Sequence, residues 1–287
     1  MQKKKLAIVI PASIVSDTPH LREKTFKIGL VGRAAAVFRV NEIIIFKDLP
    51  KQRQEKELKL VSTVLAYMET PQYLRKKLFK ITPELRYAGI LPPLRTPHHP
   101  LANKAKDLKI GEFREAVVTS ATREGTFADV GVEKPAFIPK IRLKTGKRIT
   151  VKIVRRNKLL EAALASPDEI REYWGYKTTA YPLPLGQVLK RRNFDLVVAT
   201  SRYGKTLKEV AAELRSRWSE AKEIAVVFGS PSLGLYEIAK HEKLSLDDVA
   251  DFVVNTIPNQ GTETVRTEEA IFASLALFNV LLRDANL

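Results

Sequence analysis

The sequence predicts an α/β protein, a mostly parallel sheet covered by helices on both faces, with a small OB-like β-barrel inserted between its two halves. Apolar, β-branched runs alternate with helical patterns near the N-terminus and again after residue 157, the rhythm of strands joined by crossover helices. Between these stretches, residues 111–154 show only short strand-like segments with turn residues between them, the pattern of a small barrel. The two patterns meet at ITPELRYAGILPPLRTPHHP, residues 81–100, which holds five of the chain's 16 prolines. Proline fixes φ, lacks a donor and restricts the residue before it, so this stretch is an extended, irregular boundary. The expected organisation is residues 1–85 and 157–287 as two parts of one α/β domain, with 86–156 as the barrel.

KLAIVIP at 5–11 is a short apolar run ending in proline and reads as a buried strand. In the helix that follows, Phe26, Leu30, Ala34, Val37 and Phe38 recur at spacings of three and four, and EIIIF at 42–46 is a second buried strand that completes a βαβ start. Residues 51–80 are helical by pattern and divided by Pro71, with Leu58, Val61, Leu65 and Met68 along one face. The barrel strands are EFREAVVTSA, GTFADVG, KPAFIP and ITVKIV. After them FDLVVAT (194–200), EIAVVFG (223–229) and DFVVNTI (251–257) read as strands. Each leads to a helical segment, TLKEVAAELRSRW, LGLYEIAKH and TEEAIFASLALFNVLL in turn.

The 287 residues include no cysteine and four histidines, which leaves no disulfide framework, no thiolate nucleophile and no cysteine-built zinc site. No metal is expected: His98 and His99 form a proline-flanked pair without further ligands nearby and read as linker or RNA-contact residues. No apolar run approaches the ~20 residues of a membrane-spanning helix, and in MQKKKLAIVIPAS the apolar LAIVI is shorter than a signal-peptide core. The expectation is a soluble, cytoplasmic protein with no membrane partner. The net charge of +17 is unevenly placed, with +9 on residues 1–85, +10 on 86–156 and −2 on 157–287. A segregated positive field attracts a polyanion and speeds its encounter, so nucleic acid is the leading partner. Phe113, Phe127 and Phe137 are interleaved with lysines and arginines along the barrel strands. Such phenylalanines either stack bases beside phosphate-tracking cations or fill the barrel core.

Two constellations carry candidate chemistry. Ala199 to Thr206 reads ATSRYGKT, close to the phosphate-binding loop G-x-x-x-x-G-K-[ST], in which Lys205 would reach phosphates and Thr206 a magnesium ion. Ala199 replaces the first glycine, and no Asp follows the next strand to complete a metal site, so a glycine turn into a helix fits better. The second constellation is VVFGSPSLGL and VVNTIPNQGTETVRTEEA, two loops at the carboxyl ends of strands, where open α/β sheets bind ligands. Small and proline-containing loops expose backbone groups that can hydrogen-bond an adenine ring. Thr267 can cap the last helix, with Glu268 and Glu269 in its first turn. Neither loop is a G-x-G-x-x-G, so a dinucleotide site is not indicated.

VVFGSPSLGL, NTIPNQGTETVRTEEAIFASLALFN and the N-terminal KIGLVGRAAAVFRVNEIIIF together resemble the SPOUT RNA methyltransferases. METP at 68–71, QYLRKKLF and RYAGILPPLRTPHHP are similar to the archaeal and eukaryotic branch that carries an OB-like insertion. The resemblance covers nearly the whole chain. It implies a Rossmann-like sheet with a trefoil knot, which connectivity rules would not suggest, holding S-adenosyl-L-methionine in a bent shape. It implies cofactor contacts, mostly through main-chain groups, from Thr200, Ser201, Gly229, Ser230, Gly234, Ile257, Pro258, Gln260, Gly261 and Thr262. Arg33, within GLVGRAAAV, stands at the family's arginine and is the first catalytic candidate, because a fixed cation favours an ionised acceptor or holds its phosphate. Arg266 is a supporting catalytic candidate, and Glu263 is the carboxylate beside the second loop that can act as a base. Members of the family are homodimers with the site near the interface, so a homodimer is expected. The expected function is methylation of RNA, ribosomal RNA first, at uridine N3. Ribose 2′-O methylation is the alternative within the class, and a P-loop-type NTPase or a non-catalytic RNA-binding protein the alternatives outside it.

Overall fold

The computed structural model describes residues 4–282, so Met1, Gln2 and Lys3 of the basic start lie outside the described residues. The N-terminal stretch forms β1 (Lys5–Pro11), α1 (Leu21–Val37), β2 (Glu42–Phe46), α2 (Glu55–Glu69) and α3 (Gln72–Leu78). The middle forms β3 (Phe113–Ala121), β4 (Gly125–Asp129), β5 (Ala136–Pro139), β6 (Arg148–Arg156) and β7 (Leu160–Leu164). Then come β8 (Lys177–Ala180), α4 (Leu185–Arg192), β9 (Leu196–Thr206), α5 (Leu207–Glu220) and β10 (Glu223–Val227), followed by α6 (Leu235–His241), β11 (Phe252–Asn255) and α7 (Thr267–Leu281). The chain divides into two compact units. The first runs to Ala66, includes Pro83–Pro93 and resumes at Tyr176, and the second is Tyr67–Thr82 with Leu94–Gly175.

The first unit holds a six-stranded sheet in the order β11-β9-β10-β1-β2-β8, parallel throughout. Its central strands are apolar on both faces because both faces are covered. Ala7, Val9, Ala225 and Val227 pack with Leu185 and Val188 of α4 and with Leu235 and Ile238 of α6, while the alternate residues Ile8, Ile10 and Val226 are equally buried. Phe38, at the end of α1, meets Phe272 of α7 edge to face, and Trp218 of α5 meets Phe278. The second unit holds a closed barrel in the order β3-β4-β5-β7-β6, filled by Ala116, Val118, Ala128, Ile138, Val151, Ile153 and Ala162. The fold class is thus the expected one, a parallel α/β sheet and a small barrel.

Three elements go beyond the sequence pattern. β7 closes the barrel past residue 156, where the pattern of strands ended. β8, only KTTA, is a short, largely polar edge strand whose pairing with β2 places it in the sheet. α4 buries Leu185, Val188 and Leu189 and ends on Asn193 in the left-handed conformation at φ 48°, a common helix stop.

The buried face of α1 differs from the expected one. Phe26 and Val37 are 47% and 50% exposed, and the buried side is Thr25, Ile28, Gly29, Val31, Gly32 and Ala34 to Ala36. Small residues win there because the chain comes close: a Cβ on Gly29 would lie 2.9 Å from both Leu91 and Pro92. The proline-rich segment therefore lies along α1, and Arg33 Nη1 donates to the Pro93 carbonyl at 3.2 Å.

Candidate active site

The site begins with an interruption in an edge pairing. Val253 of β11 lies opposite Ala199 of β9, but the next residue, Val254, lies opposite Lys205. Residues 200–204 therefore loop out of the sheet at the carboxyl end of β9, and the chain re-enters at Gly204, where a Cβ would stand 2.5 Å from the Val253 carbonyl oxygen. This rules out the phosphate-binding loop. Lys205 and Thr206 are paired strand residues, and the Thr206 hydroxyl and N–H both donate to Glu209 at 2.6 Å, so no ring of free amides opens before the helix. Thr206 acts as a helix cap.

The bulge, the loop after β10 and the loop after β11 converge. Thr200 Oγ1 donates to the Val227 carbonyl at 2.9 Å, and Thr267 Oγ1, on the first residue of α7, donates to the Gly229 carbonyl at 3.0 Å. Asn255 Nδ2 donates to the Arg202 carbonyl at 3.0 Å, and the hydroxyls of Thr256 and Ser274 lie 2.8 Å apart. After β11 at the sheet edge the chain thus returns past β9 to the end of β10 before α7 begins. The three loops enclose a cavity of about 360 Å³. Thr200, Ser201, Gly229, Ser230, Gly234, Ile257, Gln260 and Glu263, all named from the sequence, line it together.

The other named residues stand elsewhere. Pro258, Gly261 and Thr262 are exposed on the outer part of the last loop, which turns at Asn259 with φ 55°. Gln260 braces that loop by donating to the Thr262 and Glu263 carbonyls. Arg266 is exposed at the start of α7, where its N–H donates to Glu269 at 3.0 Å. Arg33 does not line the cavity and bonds the Pro93 carbonyl as described. The sequence reading missed Arg202, Tyr203, Asn255 and Tyr236, which also line the cavity. Arg202 and Tyr203 were hidden in plain view, as the variable positions of the apparent phosphate-binding motif.

In the barrel, Phe127 and Phe137 are cross-strand partners with ring centroids 4.9 Å apart. Phe113 packs edge to face on Trp174 beneath Lys152. All three are half-buried and lie outside the core cluster, because each alternates with the inward positions of its strand. His98 is not an RNA-contact residue, since it is fully buried in the segment that joins the elements, and the Nε2 atoms of His98 and the half-buried His99 lie within 2.9 Å of the Glu69 carbonyl oxygen. Burial raises the Glu69 carboxyl, but the hydrogen bonds from His98 at 3.1 Å and from Arg148 at 2.7 and 3.0 Å outweigh it and hold the carboxyl below the usual range. Burial and the adjacent His98 push His99 down to about 4. Among the described residues no cluster of three or more His, Cys, Asp or Glu could hold a metal, and no helix is long and apolar enough to cross a membrane.

Residues 5–278 match a family model described as "Putative RNA methyltransferase". An uncharacterized protein of Halobacterium salinarum is 34% identical, covering 94% of this chain and 96% of its own length. Proteins named 28S rRNA (uridine-N(3))-methyltransferase from Drosophila melanogaster and Homo sapiens are 32% and 31% identical, each over 94% of this chain. The chain spans 61% of the Drosophila protein and 77% of the human one. With the matched residues covering both the sheet and the barrel, this chain belongs to that RNA methyltransferase family and is an enzyme.

Proposed function

We propose that the chain binds S-adenosyl-L-methionine in the cavity at the carboxyl ends of β9, β10 and β11 and methylates a ribosomal RNA uridine at N3. The observation that carries this reading is the convergence of three separate strand-end loops, each singled out in the sequence, on one cavity. The activity for which the Drosophila and human relatives are named supports the choice of uridine N3. The cavity suits the cofactor in size, since small-molecule sites run upward from ~300 Å³. It suits it in chemistry too: Phe228, Leu233 and Ile257 give apolar walls, and Thr200, Ser201 and Ser230 give hydroxyls. At Gly229 a Cβ would stand 3.0 Å from the Leu233 carbonyl oxygen, so the loop closes this tightly only around glycine. When bound, the cofactor supplies an electrophilic methyl group. The chain's part is to orient the acceptor, exclude water and take up the N3 proton, and Glu263, at the cavity wall, is the candidate for the last of these.

The reading extends to a homodimer and to an RNA-capturing barrel. Phe26, Leu30, Arg33 and Val37 fall on one stripe of α1 by helical spacing, and α7 exposes Leu277, Val280 and Leu281. We assign these apolar surfaces to the dimer interface, where Arg33 acts. The barrel's cations capture RNA, as the charge of +10 on residues 86–156 suggests. The test is incubation with methyl-labelled cofactor and ribosomal RNA, followed by nucleoside mass spectrometry. The expected product is N3-methyluridine, a ribose-methylated nucleoside would replace the acceptor, and no transfer would refute the activity. Lys205→Ala should leave transfer intact, and Arg33→Ala should depress turnover at saturating RNA.

A further inference from the structure

We infer that Arg202 and Tyr203 form the site that receives the acceptor base, with Tyr203 stacking on its ring and Arg202 holding a carbonyl oxygen beside N3. The inference rests on the methyltransferase reading above and adds to it a pair of residues that reading does not use. Both residues line the cavity, yet Tyr203 is 70% exposed, so its ring stands at the mouth. A small cofactor is bound with most of its surface covered. A ring this open instead meets a group that arrives from solvent attached to a larger molecule.

The pair is fixed in place before anything binds. The guanidinium carbon of Arg202 lies 4.8 Å from the Tyr203 ring centroid, Nη2 donates to the Tyr203 hydroxyl at 2.7 Å, and Nη1 donates to the Glu263 carbonyl at 2.9 Å. Asn255 holds the Arg202 carbonyl, Ser201 Oγ accepts the Tyr203 N–H at 3.2 Å, and Gly204 seats the end of the bulge against β11. An aromatic ring already immobilised loses little entropy when a base stacks on it. Arg202 carries five N–H donors, and the bonds named leave others to face an incoming oxygen.

The chemistry calls for such a cation. As the N3–methyl bond forms and the methyl–sulfur bond breaks, the N3 proton passes to a carboxylate or to water. The negative charge of the imide spreads onto its two carbonyl oxygens, where a fixed guanidinium stabilises it. Residues 157–287 carry a net charge of −2, so Arg202 is a local feature of the cavity rather than part of a general basic surface.

The test compares Tyr203→Ala, Tyr203→Phe and Arg202→Gln with the wild type, using S-adenosylhomocysteine, a short uridine oligonucleotide and total ribosomal RNA as probes. Tyr203→Ala should keep S-adenosylhomocysteine affinity within about twofold and weaken oligonucleotide binding at least about fivefold. It should also raise KM for ribosomal RNA, and Tyr203→Phe should restore both values. Arg202→Gln should lower kcat more than it raises KM. Loss of S-adenosylhomocysteine binding in Tyr203→Ala would assign the ring to the cofactor and overturn the inference, as would unchanged oligonucleotide affinity and KM. If the wild type binds the oligonucleotide through Tyr203 but transfers no methyl group, the base site stands and the methyltransferase reading falls.

Discussion

Gly204 shows how much of this site depends on single atoms. The bulge of β9 can rejoin β11 because nothing stands between the Gly204 Cα and the Val253 carbonyl, and Gly204→Ala would place a Cβ 2.5 Å from that oxygen. The overpacking should cost about 1–3 kcal/mol, seen as a lower melting temperature together with weakened S-adenosylhomocysteine binding. Lys205→Ala, one residue on, should change neither. His99 makes a second residue-scale prediction, in the barrel unit. Its folded pKa of about 4 lies below its ordinary 6.5 because burial and His98 oppose its charge, with Arg75 adding to them, while the Glu69 carbonyl and carboxylate favour it. The folded state therefore binds fewer protons than the unfolded chain between these values. The stability this gives is fully present above pH 6.5 and is lost as pH falls toward 4, amounting to at most about 3 kcal/mol. Glu69, whose pKa is lowered from 4.5, adds its own loss only below that. Thermal melts between pH 6.5 and 5 should thus show a fall in melting temperature that His99→Gln flattens. An equal slope in the variant would remove His99 from the acid response.

Among elements, α1 and α7 are at once the best and the worst read from sequence. Their existence followed from the sequence pattern, because helices of 17 and 15 residues carry enough repeats. The buried face of α1 did not. A hydrophobic pattern marks Phe26 and Val37 as core, whereas the fold buries Gly29 against Leu91 and Pro92 and buries Gly32 and Ala34 to Ala36 with it. A pattern of side-chain polarity cannot distinguish a face that packs within its own chain from one left for another copy. If the exposed stripe is the dimer surface, Phe26→Asp combined with Val280→Asp should turn a dimer into a monomer in light scattering while the far-ultraviolet spectrum is kept. A dimer that persists would place the interface elsewhere. β7 and β8 were missed for a different reason: a four- or five-residue strand is defined by its neighbours, β6 and β2, more than by its own residues.

For the whole molecule, the segregated charge and the converging loops were legible from composition and motif, and the geometry within the cavity was not. The rule that strand ends gather ligands brought the loops VVFGSPSLGL and VVNTIPNQGTETVRTEEA into view, and the family resemblance singled out Gly229, Ser230 and Ile257 within them. Arg202 and Tyr203 fell to an apparent nucleotide motif because the break in pairing at Val253 and Val254 leaves no mark in one dimension. RNA capture by the barrel predicts that replacing the exposed Arg123, Lys140, Arg142 and Lys144 with alanine weakens RNA binding and flattens its salt dependence. The slope of log affinity against log salt should fall by about 0.7 for each phosphate contact removed. An unchanged slope would move the RNA surface off this face of the barrel. The cavity itself is tested most directly by calorimetric titration of the wild type and Gly229→Val with S-adenosylhomocysteine, with magnesium ATP run in parallel. Saturable binding of S-adenosylhomocysteine to the wild type, greatly weakened in Gly229→Val and with no heat from ATP, is the expected result. Binding of ATP alone, or equal S-adenosylhomocysteine affinity in both proteins, would show that these three loops do not hold the methyl donor.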